Sequence, residues 1–175
     1  MIHVMSDLET LGTRPGSVIR SLGAVVFDTK TGALGQEFYV NITRASCEKF
    51  GLVVDPQTET WWAGQSDAAK AALEVDPVHL VEALNRFTVW WSSVGAQYIW
   101  SHGASFDGVL LAAAYRAIGV EPPWRFWNER CCRTVLALGN RTVGKDRTGG
   151  HHNALDDAKS QAKAVAAALR TGIKL

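Results

Sequence analysis

The 175-residue sequence contains no apolar run approaching the length that spans a bilayer, which excludes a membrane-embedded helical protein as its reading. It does not open on a basic segment followed by a long apolar stretch, so no leader peptide is expected. Charge of one sign is lacking too: 18 Lys+Arg stand against 17 Asp+Glu, a formal net charge of +1. Bulk charge therefore does not mark a nucleic-acid binder, and any such binding has to come from local patches. The cysteines are Cys47, Cys131 and Cys132, an odd number with one vicinal pair and neither a CxxC nor a Cys/His metal spacing. That argues against a disulfide framework and for a reducing, cytoplasmic setting. No repeat, low-complexity tract or linker divides the chain, and 19.0 kDa suits one domain over residues 1–175.

What is present is ordinary globular composition, 47% hydrophobic and 20% charged. Residues 2–9, 18–27 and 34–42 read as strands, with Asp28-Thr29-Lys30-Thr31-Gly32 as the turn between the last two, so an antiparallel meander is expected. From 56 to 94 the pattern is helical, with Pro56 opening one helix, Ser66 capping another and Pro77 in the first turn of a third. Residues 97–101 read as a fourth strand feeding a helix closed by Gly119. Helices near 133–140 and from Leu155 to Arg170 follow. The sum is an α/β chain with one mixed sheet flanked by helices.

Carboxylates recur at positions where such folds gather ligand groups. Asp7 and Glu9 are two apart on a strand and share a face, where each raises the other's pKa unless a cation binds. Asp107 falls in the first turn of a helix, and so do Asp156 and Asp157 after Gly149-Gly150-His151-His152. Each fragment alone has a structural reading, as an exposed turn or as compensation of a helix dipole. Together they call for divalent cations, and oxygen ligands suit Mg²⁺ or Mn²⁺ better than zinc. Two such ions can clamp the attacking and leaving oxygens of a phosphodiester hydrolysis.

Asp7-Leu8-Glu9-Thr10-Leu11-Gly12, His102-Gly103-Ala104-Ser105-Phe106-Asp107, and His152 followed by Asp157 resemble the three motifs of the DEDDh, or DnaQ-like, 3′→5′ exonucleases. The pieces WWAGQS at 61–66, PW at 123–124, RT at 133–134 and HNALDDA resemble more narrowly a branch with phage exonuclease A, exonuclease VIII-like proteins and a mycobacterial exoribonuclease. The resemblance implies a ribonuclease H-like fold with a mixed five-stranded sheet. It implies that Asp7, Glu9, Asp107 and Asp157 ligate two divalent cations and that His152 is the general base. DNA is the first expected substrate and RNA the alternative; a strand-end binding module or an oligonucleotide phosphoesterase ranks behind both. A homodimer is among the implied assemblies.

Many relatives carry Asn at the position of Gly103, so a side-chain contact to substrate is expected to be missing there or replaced by backbone. His102, His151 and Asp156 are expected to have lesser jobs than His152 and Asp157. Thr10, Leu11 and Phe106 are expected beside the terminal nucleotide, Trp62 and Gln65 along the substrate channel, and Arg133 near a phosphate or an acidic partner. Of Trp61 and Trp62, adjacent on a helix, one should pack and the other face the channel. Trp90 and Trp91 are expected in the core. Arg141, Lys145 and Arg147 in loop 141–149 read either as solvated surface or as a basic flap that orders on phosphate.

Overall fold

The computed structural model describes residues 1–144 and 152–172. Strands β1 (His3–Thr10), β2 (Ile19–Phe27) and β3 (Leu34–Asn41) form the expected antiparallel meander. The β2–β3 turn is tied by Asp28, whose Oδ1 accepts the Lys30 and Thr31 N–H groups at 2.7 and 2.8 Å. Strands β4 (Tyr98–Ser101) and β5 (Glu129–Cys131) add in parallel, giving the order β3-β2-β1-β4-β5 with β1 at the centre.

Alternation along the strands sorts the core into two layers. Val4, Leu8, Leu22 and Ala24 point to one face, under α4 (Leu80–Ser93) and α5 (Asp107–Ala117), where they meet Leu84, Phe87, Leu110 and Tyr115. Met5, Val25 and Phe27 point to the other, under α6 (Cys132–Leu138) and α7 (Ala154–Leu169). Burying each large apolar side chain contributes roughly 1.5–3 kcal/mol, so these layers supply most of the drive to fold. Both helical tryptophans pack as expected: Trp91 is buried, and Trp90 stacks on Phe87 with centroids 5.7 Å apart.

One glycine sets how close α7 can come. Gly23 lies directly opposite Asp7 in the β1–β2 ladder, and a Cβ there would sit 2.2 Å from the Leu155 nitrogen and 2.3 Å from the Ala154 carbonyl carbon. Its bare backbone lets the first turn of α7 rest on β2 beside the β1 carboxylates. Helices α2 (Pro56–Ala63) and α3 (Asp67–Ala72) complete the expected helical stretch; Asp55 and Ser66 cap them, and Pro56 opens α2.

Three details depart from expectation. Helix α1 (Arg44–Lys49) is additional to the expected elements, and strand β5 is the fifth strand that the resemblance implies without placing it in the sequence. Pro77 is not in a helix: Val78 pairs with Ile42 beyond the end of β3, and α4 begins only after His79, whose Nδ1 accepts the Val81 N–H. Among the described residues no helix is long and apolar enough to cross a membrane.

Candidate active site

Asp7 and Glu9 are alternate residues of β1 and project from the face that carries α7. Asp157 joins them from the first turn of α7, whose start is fixed by Asn153: its Oδ1 accepts the Leu155 and Asp156 N–H groups, both at 3.1 Å. Ligand oxygens of Asp7, Glu9 and Asp157 lie within 4.8 Å of one another. Asp107 starts α5 and is only 2% exposed. Its Oδ1 accepts the Leu8 N–H at 3.3 Å and its Oδ2 the His102 N–H at 3.1 Å, which anchors it to the backbone of β1 and of the β4–α5 loop.

Such crowding has an electrostatic signature. Burial, then repulsion from Asp107 and Glu9, holds the Asp7 carboxyl well above the usual range, against a hydrogen bond from Gln161. Glu9 is pushed up to about 8 by burial and then by Asp157 and Asp107. Asp107 rises to about 6 through burial, with the backbone N–H groups and the Arg133 charge working the other way. Oxygen donors gathered within 4.8 Å and short of neutralising charge fit hard divalent cations.

His152, five residues before Asp157, has a left-handed backbone, φ +61°, uncommon for a residue with a side chain. Its ring meets Trp61 edge to face at 4.9 Å and Trp62 at 5.9 Å. One tryptophan packs and the other is exposed: Trp62, the one expected along the channel, is the packed one, 6% exposed with its Nε1–H donating to the Thr10 carbonyl at 2.8 Å, whereas Trp61 is 47% exposed. They wall a cleft of about 420 Å³ whose other sides include Glu9, Thr10, Thr58 and Phe106. A wider depression of about 750 Å³ lies on α4, around Val81, Val89 and Trp90, and none of the expected site residues lines it.

The structure thus brings Thr10, Trp62 and Phe106 together with Glu9. Leu11, Gln65 and Arg133 do not line this cleft. Leu11 is buried with its N–H on the Val18 carbonyl, and the Gln65 amide donates to the Trp61 carbonyl at 3.0 Å. Arg133 is exposed, and its Nη2 donates to the His102 carbonyl at 3.0 Å. Gly103 has φ +147°, a conformation that strains asparagine and explains glycine at this position. His102 serves Asp107 through its backbone, and the Asp156 N–H belongs to the α7 cap. His151, Lys145, Arg147 and the Gly149-Gly150 pair lie outside the described residues. Arg141 is exposed.

Two groups were missed from sequence. Gln161 donates to Asp7 from four positions beyond Asp157 on α7, a helical spacing that could have flagged it. Asp55, the α2 cap, and Gln57 line the cleft wall.

A family model described as "3'-5' exoribonuclease Rv2179c-like domain" matches residues 2–169. No curated protein sequence matches the chain. Among solved structures, the nuclease domain of 3'hExo, a DEDDh family member, bound to rAMP is similar with TM-score 0.67 and 14% identity, covering 98% of this chain and 92% of that one. Exonuclease X in complex with 5′ overhanging duplex DNA is similar with TM-score 0.58 and 17% identity, covering 97% and 92%. A 3'-exonuclease from a study of 3′-end recognition of a histone mRNA stem-loop has TM-score 0.63 and 11% identity, covering 98% and 82%. These likenesses establish the shared architecture, a mixed five-stranded sheet of the ribonuclease H-like kind with flanking helices.

Proposed function

The chain belongs to the Rv2179c-like 3′-5′ exoribonuclease domain family, and from that premise we propose that it acts as a single-domain 3′→5′ exonuclease releasing nucleoside 5′-monophosphates, with RNA ahead of DNA. The observation that carries this reading is the convergence of the Asp7, Glu9 and Asp157 oxygens within 4.8 Å, next to a cleft walled by aromatic rings. The family description moves RNA ahead of DNA, the reverse of the order expected from sequence.

Asp7, Glu9, Asp107 and Asp157 would hold two divalent cations, Mg²⁺ or Mn²⁺, which when bound supply Lewis acidity to phosphoryl transfer. The strand end lies in the cleft with its base against Phe106 and the exposed face of Trp61, because aromatic stacking holds single strands without reading their sequence. Trp62 keeps α2 tied to the end of β1, so the cleft wall and Glu9 move as one piece. His152 accepts a proton from the attacking water; the water oxygen bonds to phosphorus while the bond to the 3′ oxygen of the preceding nucleotide breaks, and that oxygen takes a proton from solvent. A neutral imidazole suits this work near pH 7. Edge-to-face contacts with Trp61 and Trp62 would hold the ring at the cleft wall.

Arg133, beside Gly103 and outside the cleft lining, would meet a phosphate with the donors its His102 bond leaves over. A second copy of the chain would meet the exposed Phe126–Trp127 pair, whose rings lie 4.9 Å apart beside edge strand β5. Three free thiols suit a cytoplasmic setting.

The test is one base sequence prepared as RNA and as DNA, each single- and double-stranded, digested side by side with Mn²⁺. Faster shortening of single-stranded RNA is expected; faster shortening of DNA would reverse the substrate assignment.

A further inference from the structure

Gln161 lies on the inner face of α7, 4% exposed, among residues that pack the sheet through small or apolar side chains: Ala158, Ala162 and Val165. Its Nε2 donates to Asp7 Oδ1 at 2.7 Å, a contact between residues 154 positions apart. Its Oε1 is buried as well and has no hydrogen-bond partner among the described residues. A buried amide with an unmatched acceptor is costlier than leucine or methionine in the same volume. Packing therefore does not account for glutamine here, whereas the bond to Asp7 does.

From this geometry we propose that Gln161 is a positioning residue for Asp7: it pins one carboxylate oxygen so that the other, and the free lone pair of the first, face Glu9 and Asp157 ready for a cation. The inference rests on the reading of the carboxylate cluster as a metal centre. The helix would then act twice, since Asp157 supplies a ligand and Gln161, one turn later, orients another. A neutral donor suits the task. Lysine or arginine at this position would compete with the cation for the same carboxylate, and a carboxylate could not donate.

Partners of this kind, which orient a ligand without touching the metal, commonly change affinity by about 10–100-fold when removed. The experiment titrates metal-free protein with Mn²⁺ and follows free Mn²⁺ by electron paramagnetic resonance, alongside thermal melting. Gln161→Leu removes the amide, and Gln161→Asn keeps it but is one methylene too short to reach Asp7. Both are expected to weaken Mn²⁺ binding by about 10–100-fold while melting cooperatively. A cooperatively folded variant of either kind that binds within about twofold of the wild type would overturn the proposal, because a packing role alters melting and leaves affinity alone. Asp7→Ala separates this failure from that of the underlying reading. Mn²⁺ uptake by the wild type that survives Asp7→Ala would overturn the metal centre itself, and a wild type that takes up no Mn²⁺ would overturn both.

Discussion

The two faces of the sheet are built on opposite plans. Under α4 and α5 the filling is bulky: Phe87, Trp91, Trp124 and Tyr115 interlock, with Phe87–Trp124 and Tyr115–Trp124 edge to face and the Tyr115 hydroxyl donating to the Leu84 carbonyl at 3.0 Å. On the other face the sheet still carries large side chains, Phe27 and Trp100, but α7 meets it through small ones, Ala158, Ala162 and Ala168, and Gly23 removes the last obstacle to contact between helix and strand backbones. The bulky face fills the space between sheet and helices with interlocked rings. The thin face brings a helix close enough for its side chains to share a cluster with those of the central strand. Stability and chemistry are thereby divided between layers on opposite faces of the same strands, whose alternate residues belong to each.

If that division is right, substitutions on the two faces should fail in different ways. Asp157→Asn on the thin face is expected to lower turnover by about a thousandfold or more, the scale of several kcal/mol of transition-state stabilisation. Its melting temperature should not fall, because a repulsive charge has been removed. His152→Ala should cost about 10²–10⁴-fold in turnover while Mn²⁺ affinity stays at the wild-type value, checked by single-turnover kinetics and calorimetry. On the bulky face, Phe87→Ala should cost about 3–5 kcal/mol in urea unfolding, and the folded fraction should bind Mn²⁺ as the wild type does.

Gly23→Ala probes the seam between the layers. A methyl group there forces α7 outward, which should cost about 1–3 kcal/mol of stability and also turnover, since Asp157 leaves its neighbours. The smallest effect expected is one of pH on metal-free protein. Glu9 is raised to about 8 in the folded state, so its contribution to stability is fully present below the ordinary carboxylate range and is lost as pH rises through about 8. Urea midpoints should therefore fall from pH 5 to pH 9 without metal, and Mn²⁺ should restore them most at the alkaline end.

The division between the faces also explains what could be read in advance. The meander, β4, α5 and α7 announced themselves by apolar periodicity and by turn and capping residues such as Asp28 and Gly119. Strand β5 did not, since Glu129-Arg130-Cys131 is short and carries two charges; it is a strand because β4 offers it an edge. Helix α1 is a six-residue piece with little apolar pattern, held in place by contacts such as Leu80 N–H on the Ser46 hydroxyl. Pro77 was misplaced because proline suits a first helical turn in general, while the pairing of Val78 with Ile42 is a tertiary event.

In the site, the cluster Asp7, Glu9 and Asp157 and the anchored Asp107 could be named because their spacing and order are local signals. Gln161 was missed although it lies four positions beyond Asp157 on the same helix, because that spacing marks a shared face without saying that its amide meets Asp7. That adjacent Trp61 and Trp62 divide between packing and exposure is legible from helix geometry, but the expectation from sequence places Trp62 along the channel, and the Nε1–H bond to the Thr10 carbonyl makes Trp62 the packed ring.

The central claim, that the carboxylates on the thin face form one metal-dependent hydrolytic centre working from the 3′ end, is tested most directly with a 5′-labelled single-stranded RNA. With Mg²⁺ or Mn²⁺ the wild type should give a ladder of products shortened stepwise from the 3′ end, with release of nucleoside 5′-monophosphates. The ladder should vanish with chelator and in Asp7→Asn. Stepwise shortening that persists in Asp7→Asn at the wild-type rate would contradict the account.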